Sequence, residues 1–160
     1  MRLHIAPLAD HPQFAETVGR WHFEEWGALS PGATLAAWTA HIRQSASRES
    51  LPATFVALDA AAGDELLGSV TLVECDMETR PDLSPWLAGL FVRPASRGQG
   101  TGSALARRAV DEAAARGVAR LYLYTHDARQ FYERLGWQAL EPAFYEGQAV
   151  TIMVIESAAP

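Results

Sequence analysis

The feature that most constrains this chain is Arg97-Gly98-Gln99-Gly100-Thr101-Gly102, three alternate glycines joining two segments of different periodicity. Before it, residues 86–92 form a near-continuous apolar run, the pattern of a strand covered on both faces. After it, Leu105, Ala109 and Ala113 recur at helical spacing over residues 102–116, and Gly117 supplies a C-terminal cap. Residues 121–125 read as another buried strand. Strand, turn, helix and strand make a parallel crossover, and such units place ligands at the carboxyl ends of their strands.

Successive backbone N–H groups in the turn can converge at the positive end of the following helix, which makes an anion cradle. Glycine suits it twice: positive φ is open to it, and it has no Cβ to hold a phosphate away from the main chain. Arg97 adds charge at the entrance. A Walker loop needs a lysine after its last glycine, and this chain contains no lysine. A dinucleotide fingerprint needs a glycine where the chain has Ser103, counting from Gly100, or Leu105, counting from Gly102. A turn whose glycines only permit a tight bend is the other reading of the spacing.

Around this unit, Leu3 and Ile5 alternate with polar neighbours ahead of Pro7, a short first strand. Residues 10–26 carry Phe14, Val18, Trp21 and Trp26 at about helical spacing and end at Gly27; residues 34–46 place Leu35, Trp38 and Ile42 on one helical face. Residues 54–58 and 66–73 then read as a hairpin across 60–64, followed by a polar stretch over 74–84. Beyond residue 125, Asp127 stands as the N-cap of a short helix with Gln130 at the capping-box position, and the helix stops at Gly136. Residues 137–140 and 149–155 supply two final strands, and Pro160 closes a short tail. The order is β-α-α-β-β-β-α-β-α-β-β. It describes an α/β (α+β) mixed sheet with helices on both faces, in one domain over residues 1–160.

A chain of 160 residues buries a continuous core without disulfides or a structural metal. Its net charge of −6 excludes an extended nucleic-acid surface, which needs clustered basic side chains. No apolar run of about 18 residues is present to span a membrane, and no signal-peptide core follows Met1. Cys75 is the only cysteine, so no intrachain disulfide forms; it reads as a small buried hydrophobe in a chain expected in the reducing cytoplasm. Without lysine, Schiff-base catalysis on a side chain is excluded. Exposed strand edges and several tryptophans suit a homodimer.

Two segments carry a family resemblance. Arg97-x-x-Gly100-x-Gly102, preceded by Leu87-Ala88-Gly89-Leu90-Phe91-Val92-Arg93-Pro94, resembles the acetyl-CoA motif of the GNAT superfamily of N-acetyltransferases. Phe131-Tyr132-Glu133-Arg134-Leu135-Gly136-Trp137 resembles the same family's FYEKLGF segment, with Trp137 for the usual Phe. The resemblance implies the GNAT acyl-CoA acyltransferase fold, acetyl-CoA as donor substrate and no metal. It implies that the main chain of Leu90, Phe91 and Val92 runs beside the pantetheine arm. The N–H groups of Gly98, Gly100, Thr101, Gly102 and Ser103 would hold the pyrophosphate, with Arg97 and Gln99 in the same turn. The implied activity is transfer of acetyl to a primary amine of a small molecule or peptide by direct attack, without an acyl-enzyme. A non-catalytic acyl-CoA-binding sensor or partner module of the same fold is the alternative; retention of Tyr132 favours the enzyme.

Direct attack needs a neutral amine, a stabilised oxyanion and a proton for the departing thiolate. Tyr132 matches the family tyrosine that sits near the sulfur and donates that proton; a phenol with a pKa of about 10 is protonated at neutral pH. Phe131 and Leu135 read as packing. The base is open. Many relatives place a Glu on or near the fourth strand, and residues 86–92 contain no acid. Glu74, Asp76 and Glu78 precede that strand and either order a water that takes the proton or form a solvated loop. His126 follows the next strand, where strands four and five of the family splay apart. It is either a base or a residue that shapes the turn before Asp127. Many relatives have Asn where this chain reads Thr125-His126-Asp127.

The acceptor site of the family is built from the first two helices and the last loop. Trp21, Glu24, Glu25 and Trp26 bring aromatic and acidic groups to a helix end that suits a cationic amine; alternatively the tryptophans are core and the glutamates solvated. Tyr145 and Glu146 are their counterparts from the final loop. The C-terminal half also resembles, distantly, the eukaryotic N-terminal acetyltransferase that modifies actin.

Overall fold

Element by element, strands and helices form in the order read from the hydrophobic pattern. In the computed structural model, which describes residues 1–157, the strands are β1 (Leu3–Pro7), β2 (Ala53–Asp59), β3 (Glu65–Val73), β4 (Trp86–Val92), β5 (Arg120–Thr125), β6 (Gln138–Tyr145) and β7 (Gln148–Glu156). The helices are α1 (Ala15–Trp26), α2 (Leu35–Gln44), α3 (Thr101–Ala115) and α4 (Arg129–Arg134). The expected tail at Pro160 lies outside the described residues. One seven-stranded sheet runs β1-β2-β3-β4-β5-β7-β6, with β4 and β5 its parallel pair. Alternation along β2 sends Phe55 and Ala57 into the cluster with Leu105, Ala109 and Ala113 of α3, and Val56 and Leu58 into the cluster with Val18 of α1 and Ile42 of α2. Helices therefore cover both faces of the sheet. Met77, Trp86, Val150 and Ile152 form a third cluster, under the loop that follows β3.

Local chemistry sets the boundaries and moves several of them from where the pattern put them. The chain makes two single 3₁₀ turns, at Leu8–Asp10 and Pro12–Phe14, before α1 begins, because Pro12 has no N–H for a helix interior. Thr34 caps α2, its Oγ1 accepting the Ala37 N–H at 3.1 Å; of the expected apolar face, Ile42 is buried but Leu35 is exposed. Both α3 and α4 close in Schellman caps. Gly117 (φ 78°) donates to Ala114 O and Val118 to Ala113 O; Gly136 (φ 96°) donates to Glu133 O and Trp137 to Tyr132 O. The second cap holds Trp137 outside the final hairpin, so β6 starts at Gln138. That strand runs on to Tyr145, tolerating Pro142 because it lies at the sheet edge. Asp127 does not cap α4. Thr125 Oγ1 accepts the Ala128 N–H at 3.0 Å, and no side chain caps the helix at Ala128. Cys75 is exposed rather than buried, since the loop after β3 turns Met77 inward in its stead.

Candidate active site

β4 and β5 share one register pair, Trp86 with Tyr122, and beyond it they part. The expectation that both are covered on both faces is corrected accordingly. Trp86 and Leu87 are buried while residues 88–92 are half-buried, and β5 alternates buried Leu121, Leu123 and Thr125 with half-buried Tyr122 and Tyr124. A bulge in β4 adds to the opening: Thr71 pairs with Ala88 and Ser69 with Phe91, which leaves one extra residue on β4. Gly89 takes φ 59° there. The β4–β5 gap leads into a cavity of about 590 Å³ that α1, α2, the loop after β3 and the β6–β7 turn complete.

Seven of the site candidates singled out from sequence come together on its wall: Glu25, Trp26, Asp76, Leu90, His126, Tyr132 and Glu146. Others do not. Glu74 is exposed, and Glu78 is exposed with its N–H donating to the Tyr145 hydroxyl at 3.3 Å. Tyr145 stands behind the wall, edge-on to Tyr124 with centroids 5.5 Å apart. Glu24 is exposed beside Arg20, and Trp21 packs on Phe91 at 5.3 Å. Glu146, at the β6–β7 turn, lines the cavity and accepts from Ser30 Oγ at 3.3 Å. Burial, with the charge of Glu146 adding to it, pushes the Asp76 carboxyl up to about 7. Burial also pushes the Tyr132 phenol well above its ordinary value, so at neutral pH its proton stays in place. Trp137 fixes the tyrosine twice: its N–H donates the cap hydrogen bond to the Tyr132 carbonyl, and its ring packs edge-on at 6.0 Å.

Past the C-terminal end of β4, none of the backbone N–H groups of Gly98 through Ser103 has an acceptor among the described residues. Gly98 (φ 75°) and Gly100 (φ 86°) adopt left-handed conformations, and a Cβ on either would meet nothing within 4 Å, so space lies open over the turn. Gly102 differs from the expectation: it lies within the first turn of α3, where a Cβ would meet Phe131 at 3.5 Å and Val92 at 3.7 Å. Arg97 folds back, donating to Val92 O at 2.8 Å with its guanidinium 5.5 Å from the Phe91 ring centre. Thr101 Oγ1 is buried without a partner among the described residues. Six free N–H donors at a helix start, under open space, fit a diphosphate. Phe91, Val92 and residues 97–103 lie outside the cavity wall, at the C-terminal end of β4 and the start of α3.

Sequence reasoning missed two groups on the wall. His22, 4% exposed on α1, contacts Ser69 Oγ of β3 through Nε2 at 2.9 Å. Its i, i+4 spacing from Val18 is the signal that places it on the buried helix face. Thr71 ends a buried hydroxyl chain. Ser45 Oγ donates to Ile42 O at 2.6 Å, so Thr54 donates to Ser45 and Thr71 to Thr54, each at 2.7 Å, leaving the Thr71 oxygen as an acceptor.

Among the described residues no three His, Cys, Asp or Glu side chains are grouped to hold a metal ion, and no helix is long and apolar enough to cross a membrane. No curated protein matches the sequence. Solved structures share the fold. An aminoglycoside 6'-N-acetyltransferase complexed with coenzyme A is similar at TM-score 0.75 and 15% identity, over 98% of each chain. The spermidine/spermine N-acetyltransferase SpeG from Vibrio cholerae is similar at 0.68 and 19%, over 98% of this chain and 94% of that one. Arabidopsis thaliana NAA60 in complex with acetyl-CoA is similar at 0.71 and 16%, over 96% and 98%. The model of the acetyltransferase (GNAT) family matches residues 13–137, which take in the parted strands, the glycine turn and the whole of α4, and the chain belongs to that family.

Proposed function

We propose that this chain is an N-acetyltransferase that moves the acetyl group of acetyl-CoA to a primary amine of a small cationic molecule. The observation that carries the reading is that a protonated tyrosine and a carboxyl with a pKa near neutrality, Tyr132 and Asp76, face one cavity at the gap between β4 and β5. Acetyl-CoA supplies an activated acyl group. The turn at Gly98 to Ser103 offers six N–H donors to its diphosphate, and the unpaired edge of β4 at Leu90 to Val92 offers main-chain groups to the arm that follows. The Asp76 carboxylate takes a proton from the acceptor ammonium and frees the nitrogen lone pair; a carboxyl near 7 is matched to that task at neutral pH. The amine nitrogen bonds to the acyl carbon as the carbon–sulfur bond breaks; Tyr132 Oη gives its proton to the leaving sulfur and is reprotonated by the second proton that the nitrogen sheds as the amide forms.

Charge supports the class of acceptor. Glu25, Asp76, Asp127 and Glu146 line the cavity and no arginine does, while the rings of Trp26, Trp38 and Tyr124 offer faces to a cation. The test is Tyr132→Phe, assayed by CoA thiol release against diamines, polyamines, aminoglycosides and short peptides. The expected result is a fall in kcat of about 10²-fold with acetyl-CoA affinity within about twofold by calorimetry. An unchanged kcat sinks the acid assignment. Tight acetyl-CoA binding with no release against the whole panel overturns the enzyme in favour of a binding module.

A further inference from the structure

The buried imidazole of His22 has no part in the chemistry so far described, and its surroundings define what it can do. The ring is 4% exposed, held between α1, β3 and the β4 bulge, with Trp26 edge-on at 5.2 Å. Nε2 meets Ser69 Oγ at 2.9 Å, and that hydroxyl has no other partner among the described residues. Were Nε2 the donor, the fully buried Ser69 O–H would be left without an acceptor, at a cost of about 1–3 kcal/mol. Ser69 therefore donates, Nε2 accepts, and the ring proton resides on Nδ1. Nδ1 has no partner among the described residues, yet it is not one of the sealed, unsatisfied atoms, so it opens on the cavity that His22 lines. The ring is neutral at physiological pH: burial, then the charge of His41, holds its pKa down to about 3.

The backbone of β4 is shaped around this ring. A Cβ on Gly89 would lie 2.8 Å from His22 Cε1 and 3.3 Å from Nδ1. Glycine at that position lets the Nδ1 edge lie directly against the bulge, where β4 turns its unpaired main chain toward the gap. A buried polar ring fixed as a donor toward an open cavity, with no protein acceptor, calls for an oxygen from a ligand. Resting on the acetyl-transfer reading above, we propose that His22 is a substrate-contacting residue whose Nδ1–H donates a hydrogen bond to the acyl carbonyl oxygen at the β4 bulge. Negative charge grows on that oxygen as the amine attacks, and a preorganised donor in a water-poor site holds it most strongly there.

Two measurements test this. In the wild-type protein labelled with ¹⁵N-histidine, NMR is expected to show the Nδ1–H tautomer of His22 unchanged from about pH 5 to pH 8. Its proton should move downfield on addition of acetyl-CoA and not with CoA, which lacks the carbonyl. An Nε2–H tautomer, or equal responses to the two ligands, overturns the proposal whether or not an acceptor has been found. The second uses two amide replacements. Asn places an N–H near Nδ1; Gln places its amide near Nε2. His22→Asn is expected to keep kcat within about fivefold, and His22→Gln to lower it about 10²-fold with KM for acetyl-CoA little changed. Equal losses in the two variants, with equal thermal stability, overturn the proposal and leave acetyl transfer by the wild type standing. If either variant fails to fold, the ligand comparison on the wild type decides.

Discussion

Replacing Asp76 by Asn should stabilise the protein at alkaline pH while disabling it. The carboxyl has a pKa of 3.8 when exposed and is held at about 7 in the fold. At about 1.4 kcal/mol per tenfold, that difference corresponds to about 4 kcal/mol of stability. The sign follows from which state ionises first. Between about pH 4 and pH 7 the unfolded chain has lost the proton that the folded chain keeps, so stability is present below this window and is lost as pH rises through 7. His22 acts in the opposite direction: its pKa falls from 6.5 to about 3 on folding, so stability is lost as pH drops below 6.5. The two windows overlap and partly cancel in the wild type, which is why the difference between wild type and Asp76→Asn is the quantity to follow. Of the full effect, about 3 kcal/mol falls between pH 5 and pH 8, and water in the open cavity reduces it to about 2. Urea unfolding at both pH values should show Asp76→Asn gaining about 2 kcal/mol on the wild type from the lower to the higher. That is about 5 °C in Tm for a chain of this size. Thiol release should fall about 10²-fold or more. A stability difference that stays flat across the window refutes the placement of a half-buried, desolvated carboxyl, and with it the argument for Asp76 as the base.

The remaining predictions concern glycines and the hairpin turn. Gly100→Val should weaken acetyl-CoA binding at least tenfold by calorimetry, since φ 86° excludes a β-branched residue and its side chain would fill the open space over the turn; undiminished binding refutes the cradle. Gly89→Ala should cost about 2 kcal/mol in chemical denaturation, from φ 59° and the 2.8 Å approach to His22, and a neutral result shows that the ring is free to move. Glu146 and Gly147, at φ 50° and 77°, form a two-residue turn of the kind that favours Asn-Gly. Glu146→Asn should therefore leave Tm equal or raised, yet shift the acid limb of the pH–rate profile downward by removing the negative neighbour of Asp76. An unmoved limb separates the two carboxyls.

Much of the fold was legible because each element carries its own local signal. Thr34 caps α2, Gly117 and Gly136 close α3 and α4, and the alternation in β2 divides its side chains between two faces; each depends on neighbours within a few residues. The failures lie where distant segments compete. Asp127 has the side chain of a good cap, yet α4 starts uncapped at Ala128, whose N–H the path of β5 into the loop hands to Thr125. Residues 86–92 are apolar enough for a strand covered on both sides, yet a parting neighbour exposes half of it. Cys75 and Met77 have similar claims to a buried position, and the turn of one loop settled it.

By itself, then, the sequence determined the order of elements, the glycine turn and the tyrosine on α4, because short spacings and glycine's freedom at positive φ are properties of contiguous chain. Tertiary structure alone decided which of the three acids after β3 shares a cavity with that tyrosine. Glu74, Asp76 and Glu78 are equivalent as letters, but only Asp76 is desolvated beside Glu146, some seventy positions further along the chain. It also joined His22, Ser69 and Gly89 from three separate elements into one fixed donor. Desolvation and hydrogen-bond satisfaction depend on everything packed around a group, and no local pattern encodes them.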